Sequence, residues 1–174
     1  MKSFRLASLC FILVMVASCS SKVMPIEQYS PSLLSIGSEM QNFNMQLSFK
    51  KQSFSGMLIV QRRADCEIRI VASTYFGPTL FDFGLKDGQF HVYSCIEPLR
   101  HKRVIQLFEN DFKKLFLANQ PFRKKKSYEK DDEHTTGRNF GKSVFLLYKS
   151  PDNSFKRLTI EHPWIGVAIN LEKL

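Results

Sequence analysis

Few side chains in this 174-residue chain are placed to do covalent chemistry, and the best placed is a cysteine near the N-terminus. Cys19 follows Val16-Ala17-Ser18, behind Lys2, Arg5 and the apolar run Leu9 to Val16. That run is too short to cross a bilayer as a mature helix, so residues 1–18 read as a secretory leader. Small residues directly before the cysteine resemble the bacterial lipobox, where cleavage precedes the cysteine and its thiol is acylated. The alternative is an ordinary signal peptide whose cleavage site happens to contain a cysteine. Acyl chains such as palmitate on one residue give stable anchoring, at about 0.8 kcal/mol per buried methylene. Ser20, not an aspartate, follows Cys19, which under Gram-negative sorting rules directs the protein to the outer membrane, facing the periplasm. No acidic cluster of the surface-export kind follows.

Other reactive groups are dispersed. His91, His101, His134 and His162 form no i, i+4 pair and have no cysteine at zinc-like spacing, so no metal site is expected. No G-x-S-x-G elbow, P-loop or dinucleotide fingerprint occurs. Asp82 lies opposite Phe81 and Phe83 and reads as a solvated strand carboxylate rather than a general base. The expectation is a protein that is not an enzyme and carries no cofactor beyond lipid on Cys19. Cys66 and Cys95 would meet an oxidising compartment, which favours a bridge. The strand order opposes it: the two fall at opposite ends of a sheet, on the order of 25 Å apart, against a bridging limit of about 7 Å. Both read as separate thiols.

The elements that would position these groups form one domain, residues 32–174, behind a polar tether at 19–31 that contains two prolines. Cleavage after Ser18 removes Lys2 and Arg5 and no acids, so the formal charge falls from +9 to +7. Nucleic acid is not an expected partner in the periplasm; anionic lipid or an acidic partner suits the charge better. A short helix is expected from Ser32, then strands at Phe43–Lys51 and Gly56–Arg63. Next comes an antiparallel meander: Ile68, Ile70 and Ala72 share a face, then Phe81, Phe83 and Leu85, then Phe90 and Val92 beyond an Asp87-Gly88 hairpin turn. Helical period follows from Leu99 to Phe116, with Val104, Leu107, Phe108, Leu115 and Phe116 on one side. Lys102, Arg103, Glu109, Asp111, Lys113 and Lys114 fall on the other. The apolar side must cover the sheet, as a core helix or as a lid over a cavity. Residues 119–142 show no periodicity and read as a long loop carrying Arg123-Lys124-Lys125-Lys126. That run is either a solvated face or a patch for lipid head groups. Three strands close the chain: Val144–Tyr148, Phe155–Glu161 and Ile165–Leu171. The fold class is α+β, mostly antiparallel β, with one or two helices over an apolar face.

One turn is out of character. Ser73-Thr74-Tyr75-Phe76-Gly77-Pro78 places two adjacent aromatics where a polar loop is expected. The stretch EIRIVASTYFGPTLFDFGLKDGQFHV, Glu67 to Val92, resembles the LolA/LolB family of periplasmic lipoprotein carriers and outer-membrane lipoprotein receptors. Ile68-Arg69-Ile70-Val71 matches the family's strand, Tyr75-Phe76-Gly77 its turn, and Leu80-Phe81-Asp82-Phe83 the strand beyond. The resemblance implies an unclosed β half-barrel whose apolar interior, covered by helices, accepts acyl chains. Ile59, Ile68, Ile70, Phe81, Phe83, Leu85, Phe90, Val92, Leu107 and Phe108 would line that cavity. The receptor's protruding leucine would fall on Phe76, which with Tyr75 would touch membrane or cargo, and Arg123 to Lys126 would face lipid. Implied partners are membrane lipid, lipoprotein cargo and a LolA-like carrier.

Two functions stay open: an acyl-chain carrier or receptor in lipoprotein localisation, and an interaction lipoprotein with a filled core that tethers a partner. Both need the anchor. Cys19→Ser should abolish fatty-acid labelling and release the protein from membranes. Retention of that variant on membranes at high salt would refute acyl anchoring.

Overall fold

The structure, a computed structural model, describes residues 31–174 except 130, 139, 140 and 153. The leader, Cys19 and nearly all of the tether lie outside the described residues.

Alternation of apolar and polar side chains builds most of the fold. The strands are β1 (Gln41–Phe49), β2 (Gln52–Arg62), β3 (Ile68–Thr74), β4 (Thr79–Lys86) and β5 (Gln89–Cys95). After the helix α1 (Lys102–Phe116) come β6 (Lys124–Ser127), β7 (Asp131–Thr136), β8 (Ser143–Lys149), β9 (Phe155–His162) and β10 (Val167–Lys173). All pair antiparallel in one ten-stranded sheet, in the order β5-β4-β3-β2-β1-β10-β9-β8-β7-β6. The first and last strands meet at its centre, from Phe43 opposite Lys173 to Phe49 opposite Val167. The edge strands β5 and β6 do not pair, so the sheet is unclosed. The Asp87-Gly88 turn forms as expected, with φ of 50° and 73°, the positive values that a tight two-residue hairpin demands.

One face of this sheet is apolar along its length: Phe43, Leu47, Leu58, Val60, Ile70 and Phe83 on one half, Phe145, Leu158, Ile160 and Ile169 on the other, all buried. Such a face must be covered, and α1 covers it. The helix leaves edge strand β5, through a short 3-10 turn at Glu97–Leu99, and the chain then enters the opposite edge at β6. His101 opens the helix by accepting from the Arg103 backbone N–H at 3.3 Å. Phe108 and Phe112 stack on each other at 5.7 Å and lean on Phe81 at 5.1 and 5.9 Å.

Four expectations change. No helix forms at Ser32; instead Leu34 and Ile36 are buried, and the Leu34 N–H donates to the Leu115 carbonyl at 2.9 Å. Gly37 and serines leave too few helix formers there, and docking onto α1 stabilises more than one isolated turn would. The helix begins at Lys102 rather than Leu99, because Pro98 sits in the preceding 3-10 turn. Residues 119–142 are not one loop: β6 and β7 form a hairpin that extends the sheet past β8. Its backbone is satisfied by the ladder and its charges are matched across strands, Lys126 to Glu133 at 3.3 Å and Lys149 to Asp132.

The fourth change concerns polarity. Asp111, expected on the charged side of the helix, is fully buried. Its carboxylate accepts a 2.7 Å hydrogen bond from His162 Nε2 on β9, and the Ser143 hydroxyl on β8 donates to Nδ1 at 3.1 Å in the matching tautomer. Burial pushes the Asp111 carboxyl above its ordinary value, and the His162 contact pulls it back. A carboxyl raised on folding contributes stability at low pH that is lost as pH climbs from 3.8 through the folded value. His162→Ala, which strands the carboxylate, should cost about 3–5 kcal/mol at neutral pH. Asp111→Asn keeps an acceptor for His162 and should cost much less, with stability relative to the parent rising as pH leaves the acid range. Urea unfolding across pH checks both.

Candidate functional site

The strands place the aromatic turn at one end of the sheet. Between β3 and β4 the chain reverses through Thr74 to Pro78, closed by a Thr74 N–H to Pro78 carbonyl contact of 3.4 Å. Tyr75 is 54% exposed, and its hydroxyl donates to Asn44 Oδ1 on β1 at 2.7 Å. Phe76 is fully exposed, so its ring does not fold back over the sheet. A Cβ on Gly77 would sit 2.8 Å from Thr74 Oγ1, so a larger residue there would have to turn the threonine side chain aside.

Below the turn a polar cluster stiffens the convex face of β3, β4 and β5. Arg69 grips Asp82 with Nε and Nη2, each 2.6 Å from a carboxylate oxygen. The Asp82 contact is the main reason the guanidinium is held even more firmly protonated than usual. The Tyr93 ring covers Arg69 at 3.5 Å, and the Tyr93 hydroxyl donates to Glu67 Oε1 at 2.6 Å. A side chain at position 84 would strike Glu67 and come within 2.9 Å of the Tyr93 ring, so Gly84 lets this layer lie flat. Asp82 is therefore an ion-paired, half-buried carboxylate rather than a freely solvated one.

The side chains expected to line an acyl cavity divide. Ile68, Ile70, Phe81, Phe83, Leu85, Leu107 and Phe108 are buried together between sheet and helix. Phe81 and Phe83 stack at 4.5 Å, Phe83 lies 5.6 Å from Phe108, and half-buried Phe90 lies 4.9 Å from Phe83. Rings fill the interior at these positions. Ile59 is not among them: Leu58 and Val60 point inward, so alternation turns Ile59 to the convex side. Val92 is 45% exposed, because β5 is an edge strand whose register slips beside it, between Asp82 and Phe83. A cavity of about 660 Å³ opens on the convex face among polar side chains, including Asn44, Gln46, Tyr75, Arg157 and Thr159.

Of the basic run, Lys124 and Lys126 share one face of β6, and Lys125 sits 5.6 Å from the Phe122 ring centre. Sequence reasoning missed the Asp111–His162–Ser143 chain altogether. Its members are 51 and 19 residues apart and no spacing announces them. They border a cavity of about 200 Å³ with Arg103 and Asn110. Serine, histidine and aspartate in line invite comparison with a nucleophilic triad, in which aspartate holds Nδ1 and Nε2 serves serine. Here the roles of the two nitrogens are exchanged, and all three side chains are buried. The arrangement fastens α1 to β8 and β9.

Searches with family models and against curated proteins find no match to this chain. Fold and site together define a class: an unclosed, antiparallel ten-stranded sheet covered, among the described residues, by one α-helix, with an aromatic turn protruding at one end.

Cys66 and Cys95 are unbridged, Cys66 exposed before β3 and Cys95 buried at the far end of β5. Burial pushes the Cys95 thiol up to about 11. The thiolate is the reactive form, so of these two cysteines alkylation of the native protein near the ordinary thiol range of about pH 8.5 should mark Cys66 and spare Cys95. Denaturant should open Cys95 equally. Peptide mass mapping reads both; a mass two protons lighter after trapping would mean a bridge.

Proposed function

We propose that this is a lipid-anchored protein of the Gram-negative outer membrane that handles acyl chains and helps deliver lipoproteins into that membrane, as its resemblance to the LolA/LolB family implies. The observation that carries the reading is Phe76. Leaving a large aromatic in water forgoes about 1.5–3 kcal/mol of burial, and this ring stands fully exposed on a turn whose flanking strands both run into the aromatic core. An apolar tip held out by a stiff hairpin suits contact with a bilayer or with a cargo's acyl chains. The interior supports the same reading: it is lined by phenylalanine and covered by a single helix, so displacing α1 would open an apolar trough. Delivery needs no bond to be made or broken, only an affinity for acyl chains between that of the donor and that of the bilayer.

A second reading rests on the stacked rings between sheet and helix. A filled interior suits a structural lipoprotein that tethers a partner at the outer membrane, with Tyr75 and Phe76 as its contact.

Phe76→Glu tests the choice. The side chain is exposed, so the melting temperature should change little, equivalent to within about 0.5 kcal/mol. Vesicle association of the mature Cys19→Ser chain and delivery of lipoprotein cargo should both fall. Unchanged delivery and vesicle binding would reject the carrier reading and leave the partner-tethering one.

A further inference from the structure

Strand directions sort the turns into two sets, and the sets differ in charge. With Phe49 opposite Val167, Gly56 opposite Thr74 and Phe81 opposite Cys95, the β1–β2, β3–β4 and β9–β10 turns and the entry to α1 share one end. The Lys50 N–H donates to the Gly166 carbonyl at 3.0 Å, tying two of these turns together. Thr136 opposite Ser143 and Lys124 opposite Thr135 add the β7–β8 loop and the start of β6 to the same end.

Every one of these segments but the aromatic β3–β4 turn and the β9–β10 turn is basic. Lys50 and Lys51 lie in the first turn, and Arg100, Lys102 and Arg103 around the helix entry, all exposed. Arg123 and Lys124 open β6, while Arg138 and Lys142 flank the β7–β8 loop, and these too are exposed. Among the described residues of these turns Glu97 is the acid, and it lies 3.8 Å from Arg100. Arg123, Lys124, Lys126, Arg138 and Lys142 converge on a cavity of about 540 Å³ with Glu133. The turns at the opposite end are mixed in sign: Asp65, Asp87, Glu129 and Asp152 stand against Arg63 and Lys130 in the sequence, with Lys86 pairing Asp65 at 2.9 Å and exposed Lys156 and Lys173 at the adjoining strand ends.

The two turns without cations supply the aromatics. Tyr75 and Phe76 occupy one; Trp164, 59% exposed, and exposed Ile165 occupy the other. Aromatics that prefer the head-group level, ringed by lysine and arginine, are what an anionic bilayer surface attracts. The chain enters β1 from the opposite end, where Gln41 pairs with Val60. The 12 residue-to-residue steps from Cys19 to Pro31 can span at most about 40 Å, enough to let the basic end reach the membrane.

We infer that the basic end of the half-barrel is a docking face for an anionic bilayer, with Phe76 and Trp164 as two separate inserting turns. The inference deepens the proposed function and rests on it for the membrane's presence, while adding the lipid class and the second turn. Because Trp164 is the sole tryptophan of the chain, its emission reports the position of that turn directly. The test uses the acylated full chain reconstituted in phosphatidylcholine vesicles with or without phosphatidylglycerol, and with brominated lipid as a depth quencher. Emission should shift to the blue and be quenched only when phosphatidylglycerol is present, and molar salt should reverse both. The unanchored mature Cys19→Ser chain should lose at least about a hundredfold in affinity for phosphatidylglycerol vesicles when Lys50, Lys51 and Arg138 are changed to glutamate. Changing Glu39 and Glu129 to lysine at the other end should leave that affinity intact.

A Trp164 that stays in water on phosphatidylglycerol vesicles overturns the inference. So does a triple variant that binds them as the parent does. Salt-sensitive self-association without lipid through the basic end would assign the face to a second copy instead. Cargo delivery by a parent chain whose Trp164 stays in water on phosphatidylglycerol vesicles overturns the docking face and leaves the carrier reading standing; docking with no cargo delivery does the reverse.

Discussion

The fold depends on the contact between the aromatic stripe of α1 and the concave side of β4. Phe81, Phe83, Phe108 and Phe112 form one stack, with centroid distances from 4.5 to 6.2 Å. A ten-stranded sheet with one apolar face would otherwise expose that face along its whole length. One helix of 15 residues covers it because the sheet curls and because phenylalanine reaches further than leucine. The connectivity follows from the same contact. Leaving β5 at one edge and entering β6 at the other, the chain must cross the trough, and the crossing segment is the helix that fills it.

Against that apolar background the Asp111–His162–Ser143 chain is an exception with a cost. Ionised or not, the Asp111 carboxyl is out of water, and among the described residues its Oδ1 has no hydrogen-bond partner. Aromatic stacking tolerates sliding; hydrogen bonds of 2.7 and 3.1 Å do not. The polar chain thus fixes where along the trough the helix rests, at the end where Arg103, Gly141 and Ile165 also meet.

The long axis of the molecule has a sense. The turns at one end present cations and exposed aromatics, and those at the other mix carboxylates with cations. Antiparallel pairing produces this separation only if charge alternates along the chain from one turn to the next, because successive turns fall at opposite ends. Lys50-Lys51, then Asp65, then the aromatic turn, then Asp87, then Arg100 and Lys102 follow that alternation.

The sequence by itself determined the strands and the helix, since burying apolar side chains at periods of 2 and 3.6 is a local demand that any fold of this chain must meet. Ile68-Ile70-Ala72, Phe81-Phe83-Leu85 and Val104-Leu107-Phe108 were legible for that reason, as were the Asp87-Gly88 hairpin and the separation of Cys66 from Cys95. It did not reveal β6 and β7, whose KKKS and DDEHTT carry no apolar rhythm and are stabilised by charges matched across the strands. Nor could it turn Asp111 inward: by period alone that residue reads as helix surface, and its partner lies 51 residues away on another strand. Whether Phe76 folds back or stands free, whether Val92 is covered, and which turns share an end were decided only by tertiary structure. Each depends on register and on pairing between distant strands, and those follow from the balance of the whole sheet rather than from any stretch of it.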